Sequence, residues 1–555
     1  RFRNFTQVGA TAQTVICTGT ARIYNYDSNW GGNVDFRAPR MLTRGTTYSG
    51  TAILEKTGGV GDDASVGGNS FVGDATLTNS GSGNYFLMGN GSPDTFGANL
   101  SINNTGDDHM YIAYNSAGNT VAGDVTITHS TSGTSSTIDL ATNSASTLAI
   151  TGNVTASVTS TAATATLYLA NAGTMTVGGD IDVDFNSSGA TGNFRSPNTG
   201  TLTVTGNFDL DLTNAGTTRN FYLGNTGDLS VGGNFNVTNA STATTSNIYI
   251  AYNTTSSLTV TGNTIYTNSG SGTTTRMYPG NLGDCTYTGT VGFFNSSPST
   301  NSGIYSNHGS DAVSLFNNDI QVNCTDASCD GVFFGNSGGS ATLAATQTVT
   351  IEAAGFIAGD LYFRNFTQTG ATDHTLLATG TARIYNYDSD WGGNVDFRAP
   401  RMYTRGTTYN GTVILEKTGS VGDDNCAGGN TFVGDATLIN SGAGNYFLMG
   451  NGSPDTFGGN LVMTNSGQDH MYLAYNSAGN TIAGDFTINH SASGTYSIMD
   501  ICDQTASTLT VTGNTVYNIT ASTADYRYYF GSNGDITFNG DFTITDNGSG
   551  AQSYG

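Results

Sequence analysis

The chain has 555 residues with 77 Gly and only 7 Pro, is 36% hydrophobic and 10% charged, and carries a formal charge of -24; globular domains usually carry roughly 25% charged residues. Glu is confined to Glu55, Glu352 and Glu416 and Lys to Lys56 and Lys417, which excludes helical bundles and coiled coils, while 10% aromatic residues are too many for a disordered spacer. The acidity argues against nucleic acid or anionic membrane as partner, and no apolar run of about 18 residues is present to insert into a bilayer.

Arg1 opens no signal peptide, so the chain reads as an interior piece of something longer. Its first motif, Phe2-Arg3-Asn4-Phe5-Thr6-Gln7, returns as Phe363-Arg364-Asn365-Phe366-Thr367-Gln368, and this offset of 361 residues then holds without slipping. Trp30 matches Trp391, Arg37 matches Arg398, and His129 matches His490, with about four in five residues identical up to that point. Residues 1–361 are therefore one full unit and 362–555 part of a second. The blocks 1–56 and 362–417 differ from the rest, for they hold 13 of the 17 basic residues and both tryptophans. Exposed aromatic planes beside Arg and Asp are what a sugar-binding face needs, which makes Trp30, Arg37, Arg40, Trp391, Arg398 and Arg401 the candidate ligand-binding residues. The bland alternative is a wider coil in which the same residues pack and Arg pairs with Asp across turns.

The pairs Asp62-Asp63 and Asp423-Asp424 follow in a Gly-rich loop, where calcium is the candidate ion. Calcium-binding β-rolls repeat a glycine-rich nonapeptide that is not repeated here, so solvated loop acids are the favoured reading and no cofactor is expected. From Asp74 onward a marker recurs: an apolar residue, two spacers usually including Gly, then Asp or Asn followed by alternating apolar residues. It falls at Asp74, Asn99, Asp124, Asn153, Asp180, Asn207, Asn234, Asn263, Thr290 and Asp319, and again from Asp435. Phe71, Phe96, Val121 and Ile150 stand three residues ahead of it, an apolar column. Asn79, Asn104, Asn239 and Asn268 stand five residues behind it, a column in which stacked amides bond to each other.

Between markers, Thr201-Leu202-Thr203-Val204, Phe208-Asp209-Leu210-Asp211-Leu212 and Asn220-Phe221-Tyr222-Leu223 alternate at period two, which predicts three short strands per turn with Gly and Asn at the corners. The expected fold is all-β: a right-handed parallel β-helix, or β-solenoid, of about 27–28 residues per turn and about 20 turns, a rod on the order of 95 Å with thirteen turns per long unit. Each turn's first partner is then the next turn of the same polypeptide.

Chemistry finds little footing along this coil. The six histidines include no pair at metal spacing, and His129 and His490 take places in the Asn column, which points to corner hydrogen bonding. Cys324 and Cys329 are candidates for a loop-closing disulfide in an oxidising exterior; Cys17, Cys426 and Cys502 face Ala378, Ser65 and Ala141 in the other copy, so the repeat does not require them. β-Helix lyases and hydrolases cluster carboxylates with Lys, Arg or His in a groove, but no Lys or His joins an Asp cluster in the middle section, and the chain is expected not to be an enzyme. Thr-x-Thr pairs such as Thr174-Met175-Thr176 raise ice binding, which Asp228, Ser230 and Thr259 on adjacent turns interrupt.

The run Gly335-Asn336-Ser337-Gly338-Gly339-Ser340-Ala341-Thr342-Leu343-Ala344, with Ala358-Gly359-Asp360-Leu361, Phe366-Thr367-Gln368-Thr369-Gly370-Ala371-Thr372, Ala113-Tyr114-Asn115-Ser116 and Leu87-Met88-Gly89-Asn90-Gly91, resembles the giant repetitive surface proteins of Bacteroidota, gliding-motility adhesins among them. The resemblance covers essentially the whole chain. It implies type IX secretion, a place at the cell surface, and service as a long filament for attachment or gliding, with a carbohydrate-binding adhesin as the runner-up; it brings no catalytic residues.

Overall fold

The structure, a computed structural model, describes residues 1–59, 63–83, 85–189, 191–420, 424–444, 446–522 and 525–552. Contacts divide the chain into two compact units, Arg1–Gly289 and Thr290–Gly555. The long-repeat boundary at 361 is a point inside the strand Asp360–Arg364 of the second unit.

Each unit is a parallel β-solenoid built from three sheets. In one coil of the first unit, Val125–His129 belongs to sheet I, Ser135–Leu140 to sheet II and Thr147–Ile150 to sheet III. The chain then returns to sheet I at Val154–Val158, whose five residues pair in parallel with Val125–His129. Each unit contains eleven sheet I strands among its described residues, so at one parallel strand spacing per coil each spans about 50 Å along its own axis. The described residues form no helix, and so none long and apolar enough to cross a membrane.

Alternation fixes which side chains enter the core. Leu77, Ile102, Ile127, Ala156, Val183, Leu210, Val237 and Tyr266 stack in register through sheet I, and all are buried. Each Leu, Ile or Val of this column withdrawn from water contributes roughly 1.5–3 kcal/mol. The apolar column three residues ahead of each marker lines sheet III from inside, where Tyr48, Phe71 and Phe96 stack with centroids 4.8 and 4.7 Å apart.

The marker's role is a ladder at the exposed corner. The Asn99 amide donates to Asp74 Oδ1 at 3.1 Å, the Asp124 amide to Asn99 Oδ1 at 3.0 Å, and the Asn207 amide to Asp180 Oδ1 at 2.7 Å. The preceding Gly has no room for a side chain: a Cβ on Gly206 would sit 2.7 Å from the Gly179 carbonyl oxygen. Asn207 Oδ1 in turn accepts from the Asn234 amide at 2.8 Å. Asn207→Ala is therefore expected to cost about 1 kcal/mol, read as a fall in the urea midpoint, whereas Asn207→Asp keeps the acceptor and the midpoint.

Four expectations change. The long repeat holds fourteen sheet I strands, not thirteen, because register advances by only 21 residues at Gln13↔Val34, 18 at Val34↔Ala52 and 23 at Ala52↔Ala75, against 27 at Phe208↔Phe235. The Arg- and Trp-rich blocks are thus the narrowest coils, not wider ones. In the inner column, amides meet amides only in part: Asn79 donates to Asn104 at 3.2 Å, but Asn268 donates to the Thr275 carbonyl of its own coil. Corners also use alanine, with φ of 54° at Ala113 and 48° at Ala251, where a methyl group still fits the left-handed turn.

Candidate binding surface

Both tryptophans lie inside. Trp30 is 2% and Trp391 0% exposed, each on the inner side of sheet III within an aromatic cage. Phe2, Phe5 and Phe36 surround Trp30 with centroids 4.7–5.0 Å away, and its indole N–H donates to Asn25 Oδ1 at 3.1 Å. The expectation of exposed Trp platforms is corrected: in an 18- to 23-residue coil a single indole fills the core.

The four candidate arginines do not converge either. Arg37 sits on the outer face of sheet I, where it pairs with Asp35 of its own strand at 2.7 Å and Glu55 of the next coil at 3.4 Å. Arg398 repeats this with Asp396 at 2.7 Å and Glu416 at 3.1 Å. The carboxylates hold both guanidinium pKa values up, the bond from the neighbouring Asp being the main cause. Arg40 and Arg401 belong instead to sheet II, at register positions facing Arg22 and Arg383.

Arg401 lies 3.5 Å from Asp424. Asp424 is almost fully buried, accepts the Met402 amide at 2.9 Å, and is pushed up to about 7 by that burial. It is no solvated loop acid; Asp62 and Asp423 and the Asp63 side chain lie outside the described residues. Among the described residues no three His, Cys, Asp or Glu side chains converge as a metal site. Cys324 and Cys329 are bonded through their sulfurs, with Cα atoms 6.2 Å apart. The two column histidines bond at the corner as expected, His129 Nε2 to Ser136 Oγ and His490 Nε2 to Ser497 Oγ, both at 2.6 Å. On sheet I, Asp182 and Asp184 face Asp209 and Asp211; burial and then repulsion raise Asp182.

A surface absent from the sequence reading runs along the outer face of sheet II. In the first unit the outward column reads Tyr168, Arg195, Tyr222, Tyr249, Tyr278. In the second it reads Tyr305, Phe333, Tyr362, Tyr385, Tyr403. The two columns differ in ring geometry. Tyr222, Tyr249 and Tyr278 stack within 17° and 8° of parallel, so each ring covers its neighbour's face. Tyr362, Tyr385 and Tyr403 are tilted 56° and 53° to one another, with centroids 5.3 and 5.0 Å apart. That tilt opens a groove of about 350 Å³.

Sequence parity carried the signal: in Phe221-Tyr222-Leu223 the flanking residues point in, so the tyrosine points out. Comparison with protein-family models, curated proteins and solved structures finds no match to this chain.

Proposed function

We propose that the chain is a segment of a very long extracellular filament or surface adhesin whose work is mechanical, extending reach from the cell for attachment or gliding. One observation carries this reading: successive coils such as those at Asn153, Asp180, Asn207 and Asn234 repeat one corner bond, so repetition adds length without a new fold element. The 361-residue duplication suits length better than it suits one active site, and the duplicated coils keep their buried partners. Trp391 donates to Asn386 as Trp30 does to Asn25, and Tyr409, Phe432 and Phe457 stack as Tyr48, Phe71 and Phe96 do. The likeness to giant repetitive surface proteins of Bacteroidota adds the setting: type IX export and the cell surface. An outer layer of Thr, Ser, Asn and Asp with two lysines in the chain keeps such a fibre hydrated and offers trypsin-like enzymes few sites.

Antibodies raised against the 555-residue chain test this on producing cells. Intact, unpermeabilised cells are expected to label, with gold particles in electron micrographs lying away from the envelope. Labelling that needs permeabilisation, or that stays inside the envelope, overturns the reading.

A further inference from the structure

We infer that the stacked tyrosine column of the first unit is a site of oxidative cross-linking, at which a one-electron oxidant joins neighbouring coils through a carbon–carbon bond between tyrosine rings. This goes beyond the mechanical reading and does not depend on it.

Strand register builds the site. Thr218–Leu223, Thr245–Ile250 and Thr274–Pro279 pair in parallel along their whole length, so Tyr222, Tyr249 and Tyr278 lie one above another on the outer face of sheet II. Their centroids are 5.3 and 4.9 Å apart and their planes within 17° and 8° of parallel. Arg195, one coil earlier, lies over Tyr222 at 5.0 Å from the centroid. Tyr252 meets Tyr222 and Tyr249 edge-on at 5.0 and 5.1 Å. The rings are confined without being sealed off, for Tyr222, Tyr249 and Tyr252 are half-buried.

Ring orientation selects the reaction. Loss of one electron and the phenolic proton leaves a tyrosyl radical whose unpaired spin sits in π lobes on the oxygen and the ortho carbons, perpendicular to the ring. In a parallel stack those lobes point at the adjacent ring. Burial, and then the neighbouring tyrosines, pushes Tyr249 up to about 12, so no phenolate charge splits the column at neutral pH. Radicals on two adjacent rings form one bond between ortho carbons. Each ring then releases the hydrogen of its coupled carbon as its phenol O–H is restored, a net loss of two electrons and two protons per link. Hydrogen peroxide, acting through a haem peroxidase, takes these up and leaves as two waters.

The second unit supplies an internal control. Tyr362, Tyr385 and Tyr403 are as close, with centroids 5.3 and 5.0 Å apart, but their planes stand at 56° and 53°. That tilt turns the lobes away from the facing ring, so equal spacing does not give equal reactivity.

A link between Tyr249 and either stacked neighbour closes a loop of one whole coil, which removes freedom from the unfolded chain much as a disulfide does. Coils otherwise tied by hydrogen bonds and packing gain a covalent rivet.

The test treats the full chain, at high dilution, with hydrogen peroxide and a haem peroxidase, and maps the joined peptides by mass spectrometry. Dityrosine fluorescence is expected from a product that stays monomeric, with links through Tyr222–Tyr249 or Tyr249–Tyr278, each lighter by two hydrogens. Tyr249→Phe keeps the ring and removes the phenol at the centre of the column, and is expected to lose most of the fluorescence; Tyr385→Phe, in the tilted column, keeps it. Far-UV circular dichroism of both variants should match the parent. No intramolecular dityrosine in the parent, links that map mainly to other tyrosines, or a signal unmoved by Tyr249→Phe overturns the proposal.

Discussion

Trp391→Ala is expected to release amide protection throughout coils 362–417 by on the order of 10²–10⁴-fold, the consequence of losing about 3–5 kcal/mol from a packed aromatic core. Phe363, Phe366, His374 and Phe397 stand 5.0–5.1 Å from the indole, three of the four edge-on to it. The coil here advances only 18 residues, from Val395 to Val413. The indole N–H also donates to buried Asn386 Oδ1 at 3.0 Å, and truncation leaves that acceptor unpaired at a further cost of about 1–3 kcal/mol. Hydrogen exchange read by mass spectrometry separates this from a surface role. Strands Arg383–Tyr387 and Val395–Ala399 should open while Thr245–Ile250, in the other unit, keeps its protection. Protection within a factor of three of the parent across 362–417 would contradict the cage.

The burial of Trp391 was legible in the sequence, by a rule that the marker already stated. Trp30 stands three residues ahead of Asn33, as Phe71 stands ahead of Asp74, and sheet III indeed aligns Trp30, Tyr48 and Phe71. Asn33 Oδ1 accepts the Thr51 amide at 2.9 Å, the same corner bond as elsewhere. What hid the rule was coil length: with turns of 21, 18 and 23 residues, a search tuned to 27 starts at Asp74 and treats everything before it as a different module.

The tyrosine groove was legible only in part. Parity within a strand tells that Tyr362 and Tyr385 point outward. Whether two outward rings lie parallel or splayed depends on what leans on them, and Arg383 over Tyr385 is held by Asp360 from the preceding coil, a pairing that needs the register. The corner ladder and the apolar columns are dictated locally by backbone donors and alternation; the surface is not, since several packings of the same outward residues satisfy the same core.

Acidification from pH 8 to about 6.5 is expected to stabilise the protein. Burial pushes the carboxyl groups of Asp139, Asp424 and Asp500 up to about 7, with repulsion from Asp503 adding to the last. Asp94 and Asp455 are pushed up to about 6 by burial against their amide partners. An unfolded Asp titrates near 3.9. Between pH 8 and 6.5 the folded chain therefore takes up protons at these carboxyls that the unfolded chain does not, and stability rises as pH falls.

Histidine acts in the opposite sense and later. His129, His374 and His490 are held down to about 4 by burial, so below the unfolded value of about 6.5 the unfolded chain gains protons that the folded one refuses until pH 4. Three lowered imidazoles offset part of the gain from five raised carboxyls between about pH 6.5 and 4 without reversing it, so the rise continues towards the unfolded carboxyl value of about 3.9. Urea midpoints at pH 8, 6.5, 5.5 and 4 read this directly, and a midpoint that falls steadily from pH 8 to 5.5 would sink it. Asp139→Asn isolates one contributor. Asn171 Nδ2 donates to Asp139 Oδ2 at 2.7 Å, a bond an amide oxygen accepts equally well, so the variant should be more stable than the parent at pH 8 and lose that advantage below pH 5.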